Sequence, residues 1–127
     1  MLRFTDRHEW LRLDGDIALI GITSYAAREA GTFISAELPK LDAVVKKGER
    51  VALLVSVTTA FEVLAPANGE VVEVNTDVIA MPSRVNADPQ GSGWLFRLSV
   101  DDVALLDGLM DEDAYAKFIA TGQRPAP

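Results

Sequence analysis

The sequence predicts a mainly β protein: one domain of sandwich or flattened-barrel type, with short flanking helices that include one near the C-terminus. Three observations carry that prediction. Short runs rich in valine, isoleucine, leucine and aromatic residues recur along the chain, divided by turn residues and with no long linker. The 127 residues suit a single domain with a core of its own. The stretch Lys46–Asn75 packs a strand, a tip, a strand, a turn and a strand into one compact unit.

Taken in order, Arg7–Leu13 reads as a first strand, Asp14-Gly15 as a hairpin turn and Ile17–Ile22 as its return. Thr23 or Ser24 can cap a short helix through Ala30, and Gly31 is placed to end it. Thr32–Leu38 is a further strand stopped by Pro39, which has no amide hydrogen for a ladder. Val44-Val45 is a short strand. Lys46–Glu49 is a polar turn, and Arg50–Val57 is so apolar that burial on both faces is expected. Phe61–Leu64 follows the tip. Asn68-Gly69 is a strong hairpin signal because both residues tolerate positive φ, and Glu70–Val74 alternates with period two.

Beyond Asn75 the pattern loosens. Thr76–Val85 is irregular, with a helical turn at Asp77–Ala80 and a break at Pro82. Asn86–Gly93 is loop by composition. Gly91-Ser92-Gly93 is not followed by a lysine or a helix start, so it reads as a plain loop rather than a phosphate cradle. Trp94–Ser99 is a strand, and Asp101–Leu109 and Asp111–Ala120 are helical. Asp111 serves the last helix as N-cap, Gly122 closes it, and Tyr115, Phe118 and Ile119 share its packing face. The domain is expected to span 1–122, leaving 123–127 as a short mobile tail.

Composition narrows the function. Net charge is −7, which argues against nucleic acid and anionic membranes as partners. There is no cysteine, so disulfides, thiol nucleophiles and cysteine-type zinc sites are excluded. No metal site is expected. The only histidine, His8, reads as a strand residue with a structural hydrogen bond. No apolar run reaches the ~18 residues of a membrane span. The N-terminus lacks a signal-peptide core, so a cytoplasmic location is expected.

The central stretch resembles the swinging-arm domains that carry lipoate or biotin, of the lipoyl/biotinyl barrel-sandwich hybrid type. In those domains a lysine at an exposed hairpin tip is followed by a Pro and a Gly-containing turn. The cofactor is joined by an amide bond to the lysine amine. Here the tip holds Ser56, Val57, Thr58 and Thr59, and a hydroxyl cannot form that amide.

A longer set of motifs is similar to the glycine cleavage H proteins. It comprises His8-Glu9-Trp10, Gly21–Ala26, Glu37-Leu38-Pro39, Ser56-Val57, Ala65–Asn75, Pro82, Asn86, Asp88-Pro89, Gly91–Leu95 and Leu109–Tyr115, together covering roughly residues 3 to 120. The resemblance implies a non-catalytic lipoyl carrier. Its partners would be glycine decarboxylase, the aminomethyltransferase, dihydrolipoamide dehydrogenase and the lipoylation machinery. The family's tip reads close to Glu-Ser-Val-Lys-Ala, and the aligned residues here are Val55, Ser56, Val57, Thr58 and Thr59. Thr58 therefore stands at the position equivalent to the lipoyl lysine and is expected to be unmodified, with no cofactor on this chain. Phe61 replaces a usually small residue, so the departures cluster near the tip.

The other lysines are Lys40, Lys46, Lys47 and Lys117. Lys46 and Lys47 precede a strand whose length puts them some 25 Å from the tip. A serine or threonine nucleophile would need an activating base, and nothing in the sequence brings His8 to the tip. Three readings follow. One is a non-lipoylated H-like protein that acts by protein binding. Another is a working carrier in which Thr58 is an introduced substitution or the tip lies elsewhere. The third is an H-like protein of another lipoate- or sulfur-linked pathway.

Overall fold

The computed structural model describes residues 1–121. Two antiparallel sheets face each other across one apolar core. The larger sheet has six strands in the order β1 (Leu2–Phe4), β2 (Glu9–Asp14), β3 (Ile17–Ile22), β9 (Phe96–Val100), β8 (Gly69–Val74) and β5 (Val44–Val45). The smaller has three, in the order β4 (Phe33–Glu37), β6 (Arg50–Ser56) and β7 (Ala60–Leu64). The short helices are α1 (Ser24–Ala30), α2 (Thr76–Ala80), α3 (Ser83–Ala87) and α4 (Glu112–Ala120), with a 3-10 helix at Val103–Gly108.

The local chemistry explains most element ends. Gly15 takes φ 64 in the β2–β3 hairpin. The Thr23 hydroxyl accepts from the Ala26 amide at 3.2 Å, and Gly31 ends α1 at φ 84. Asp111 accepts from the Ala114 amide at 2.8 Å. Glu112 and Asp113 in the first turn of α4 and Lys117 in its last turn complement the helix dipole.

The core lies between the sheets. Leu11, Ile20, Ile22, Phe96 and Leu98 of the larger sheet meet Leu54 and Val63 of the smaller. Phe4, Trp10 and Tyr115 form a second cluster on the side where α4 packs. Trp10 is fully enclosed and its indole N–H donates to the Pro89 carbonyl at 2.9 Å.

Several sequence expectations are corrected. The chain begins with a strand, β1, that the sequence reading left out, and β2 starts at Glu9 because Asp6–His8 is a turn. His8 therefore lies outside any strand, at φ 66. β6 is not buried on both faces; Ala52, Leu54 and Ser56 point inward and alternate with half-buried residues. Asn68-Gly69 does not close a hairpin, because β7 and β8 belong to different sheets. Gly69 lies within β8, where its backbone runs close against Ser99 of β9. The break expected at Pro82 separates α2 from α3, but the helix α3 that follows was not expected; Pro82 precedes it in right-handed helical geometry. The 101–109 segment is a 3-10 helix, and β9 spans Phe96–Val100 rather than Trp94–Ser99. Gly122 and the tail at 123–127 lie outside the described residues.

The crossover gives a direct test. A Cβ at position 69 would collide with the Ser99 carbonyl oxygen and crowd the Leu98 side chain, whereas one at Gly108 meets open space. Gly69→Ala is expected to lower unfolding free energy in urea by about 3 kcal/mol, the cost of overpacking against backbone. Gly108→Ala should stay within about 0.5 kcal/mol of the parent.

Candidate functional site

The hairpin between β6 and β7 is the tip that the sequence singled out. Its outer residues Val57, Thr58 and Thr59 are exposed, Val57 at 84%. Its inner residue Ser56 is buried and organises the turn. The Ser56 hydroxyl donates to the Ala30 carbonyl at 2.7 Å. The same oxygen accepts from the Thr59 amide at 3.1 Å and the Thr58 amide at 3.3 Å. The Ser56 amide donates to the Thr59 carbonyl at 2.8 Å. One buried hydroxyl thus replaces the left-handed residues that usually shape a two-residue hairpin. Neither Val57 nor Thr58 has positive φ.

The tip rests on the end of α1. The Thr58 hydroxyl donates to the Ala30 carbonyl at 3.3 Å, so this side chain turns down onto the protein. The platform beneath is held by Asn86 of α3. Its side chain accepts from the Phe33 amide at 2.9 Å and donates to the Gly31 carbonyl at 2.8 Å. Asn86 carries a structural role that spacing alone did not reveal, because its partners lie 53 and 55 positions away. The structure removes one residue that the sequence grouped near the tip. Phe61 is buried in the core and pairs with Leu54 across the ladder, so it fills the interior.

No lysine lies among the tip residues. Lys40, Lys46, Lys47 and Lys117 are exposed. Lys46 and Lys47 precede β6, at the end away from the tip, and seven residues of strand span about 23 Å. Ser56, Thr58 and Thr59 have no histidine as a hydrogen-bond partner, since the His8 ring bonds Tyr115. Among the described residues no group of three or more His, Asp or Glu side chains is placed to hold a metal ion. No helix among them is long and apolar enough to cross a membrane.

A second site lies at the seam of the two sheets. A cleft of about 530 Å³ is bordered by Phe4, Asp6, Arg7, Glu9, Lys47, Leu64 and Phe118. Glu9 is almost fully buried there. One carboxylate oxygen accepts from the Leu64 amide at 2.7 Å and the other from the Thr5 hydroxyl at 3.0 Å. Burial pushes the Glu9 carboxyl up to about 7 against these two hydrogen bonds and the Arg7 charge, all of which lower it. Sequence reasoning used Glu9 only as part of a motif. A lone acid in a strand gives no sign of the edge amide it will meet.

Glu9 yields a pH prediction. Its folded value lies above the ordinary 4.5, so its contribution to stability is fully present below pH 4.5 and is lost as pH rises through about 7. Glu9→Gln keeps an acceptor for Leu64 and removes the titration. Urea unfolding at pH 5 and pH 8 should show the parent losing about 2.5 kcal/mol relative to the variant across that interval.

Comparison with known proteins agrees with this architecture. Residues 2–122 match the family model described as glycine cleavage H-protein. The glycine cleavage system H protein of Parvibaculum lavamentivorans is 45% identical over 122 residues, covering 96% of this chain and 98% of that one. That of Phenylobacterium zucineum is 47% identical over 119 residues, covering 94% and 98%. The crystal structure of an H protein from Mycobacterium marinum superposes with a TM-score of 0.80 at 28% identity, covering 95% of each chain.

Proposed function

This chain belongs to the glycine cleavage H-protein family, and within that family we propose that it acts without a lipoyl arm, by binding other proteins. The observation that carries the proposal is Thr58. By the motif resemblance it stands where the family has its modified lysine. Its hydroxyl cannot take the place of an amine in an amide bond, and it is engaged with the Ala30 carbonyl. Covalent lipoate does not fit the residues of this tip.

The rest of the module favours binding. The tip is exposed, its base is fixed by Ser56, and its platform is fixed by Asn86. A surface that would approach the glycine cleavage enzymes or the lipoylation machinery is therefore kept in shape while the arm is missing. Such a protein is a non-catalytic binding partner in the cytoplasm, using neither nucleic acid nor membrane.

Two measurements test this. Intact mass of the protein purified from its own organism should equal the sequence mass of 13.7 kDa, with no acyl group on any lysine. Lipoate mapped to a lysine would overturn the proposal and restore the carrier reading. Thr58→Lys, incubated with lipoate, ATP and a lipoate ligase, should gain the lipoyl mass while the parent gains none. A Thr58→Lys protein that folds but stays unmodified would remove the assignment of position 58.

A further inference from the structure

His8 is the only histidine in the chain and none of its imidazole is exposed. Its backbone is in left-handed geometry at φ 66, which costs a non-glycine residue about 1 kcal/mol or more. The surrounding hydrogen bonds enforce it. The His8 amide donates to the Thr5 carbonyl at 3.2 Å and its carbonyl accepts from the Thr23 amide at 2.9 Å. These contacts drive the ring inward under α4.

There the ring meets a relay. His8 Nδ1 lies 2.6 Å from the Tyr115 hydroxyl, which lies 2.7 Å from the Thr23 hydroxyl. Tyr115 is the one buried residue of α4 and stacks on Phe4 with ring centroids 4.5 Å apart. A nine-residue helix is marginal by itself, so α4 depends on this docking. Phe118, one turn on, touches the His8 ring at 5.6 Å between centroids and also walls the cleft beside Glu9. Whatever holds Tyr115 therefore holds one wall of that cleft.

The other ring nitrogen, Nε2, is buried with no hydrogen-bond partner among the described residues. A neutral imidazole tolerates this in either tautomer, because the Tyr115 hydroxyl can donate to Nδ1 or accept from it. A protonated ring must donate from both nitrogens, and the Nε2 proton would have no hydrogen-bond partner among the described residues as the ring is docked. The charged groups nearby do not reverse that. Asp6 from the same turn and Glu29 from α1 favour the cation, but burial outweighs them and lowers the His8 pKa from 6.5. Arg28 of α1 acts on Tyr115, Arg7 and Glu9 flank the histidine, and the Tyr25 and Tyr115 rings face it. Glu9 uses its oxygens on Thr5 and Leu64 and is not bonded to the relay.

We propose that α4 is an acid-released flap, latched over the Glu9 cleft by the neutral imidazole of His8 through the Tyr115 hydroxyl. Protonation of His8 leaves the Nδ1–Tyr115 bond in place but puts an unpaired N–H at the buried Nε2; α4 lifts to hydrate it, and the cleft opens while both sheets stay folded. The His8 contribution is fully present above its ordinary pKa of 6.5 and is lost as pH falls through the lowered folded value.

The test is amide hydrogen exchange on the full chain between pH 7.5 and 5, corrected for intrinsic rates, alongside the NMR titration of the single histidine. In a Glu9→Gln background, which removes the Glu9 titration from this window, protection of the Tyr115–Ala120 amides should fall at least tenfold across the His8 transition, with Ile20 and Leu98 unchanged. His8→Asn, which accepts left-handed geometry and places an amide near the Nδ1 position, should keep α4 protected down to pH 5. Tyr115→Phe should expose α4 at every pH and abolish the dependence. The proposal is overturned if α4 protection stays flat down to pH 5, if His8 does not titrate in that window, or if either variant keeps the parent's pH profile.

Discussion

The structure depends on one carboxylate placed where two sheets meet. β7 is an edge strand, and the amide of Leu64 points away from its only ladder partner. Glu9, from the neighbouring sheet, supplies the acceptor. An edge amide left without a partner in this seam would cost the desolvation of a buried donor. Closing the seam with a charged group costs something else: the carboxyl is pushed up to about 7. The arrangement thus exchanges an unsatisfied backbone group for an ionisable side chain held near its protonation midpoint at neutral pH. The turn that delivers Glu9 is the same one that forces His8 into left-handed geometry, so the seam and the α4 docking site are built from consecutive residues.

The tip obeys a different economy. Its shape comes from Ser56, whose hydroxyl serves one carbonyl on α1 and two amides of the turn. Position 58 is not required for that shape. The residue is exposed, it sits in ordinary right-handed or extended geometry, and its hydroxyl contacts with Ala30 and Ser56 are both long. An exposed threonine hydroxyl bonded at 3.3 Å adds little to stability. The chemistry at this position is therefore free to change while the fold stays as it is. That separation lets a chain 45–47% identical to H proteins over nearly its whole length carry a threonine at position 58 without disturbing the shape of its tip.

How much of this was legible follows from the range of each interaction. The hairpin at Asp14-Gly15, the caps of α1 and α4, and the exposed tip were legible because the deciding residues are close neighbours in sequence. The crossing from one sheet to the other at Asn68-Gly69 was not. Asn-Gly announces a turn, but whether the chain returns into the same sheet depends on Ser99, thirty positions downstream, whose backbone leaves room only for glycine. Pro82 announced the break after α2 but not the helix α3 that follows it, since proline ends one helix and begins the next by the same restriction of φ. Asn86, Glu9 and Tyr115 act on partners far along the chain, and short-range pattern carries no trace of such pairs. Phe61 shows the converse limit. It looks like part of a changed tip, yet strand alternation turns it into the core.

These ranges bear on what the loss of an arm leaves behind. A swinging arm needs three things: an amine at the tip, a rigid base, and a place on the module's surface that receives partners. Only the first resides in one exposed residue. The base rests on Ser56 and Asn86, and the shape of the seam rests on Glu9, all buried or bonded across long sequence distances. Removing these would cost stability, whereas exchanging a lysine for a threonine at an exposed turn would not. On the proposed reading, a chain without the covalent chemistry keeps the recognition surface by default, because the surface is a consequence of the core and the core is under its own constraint.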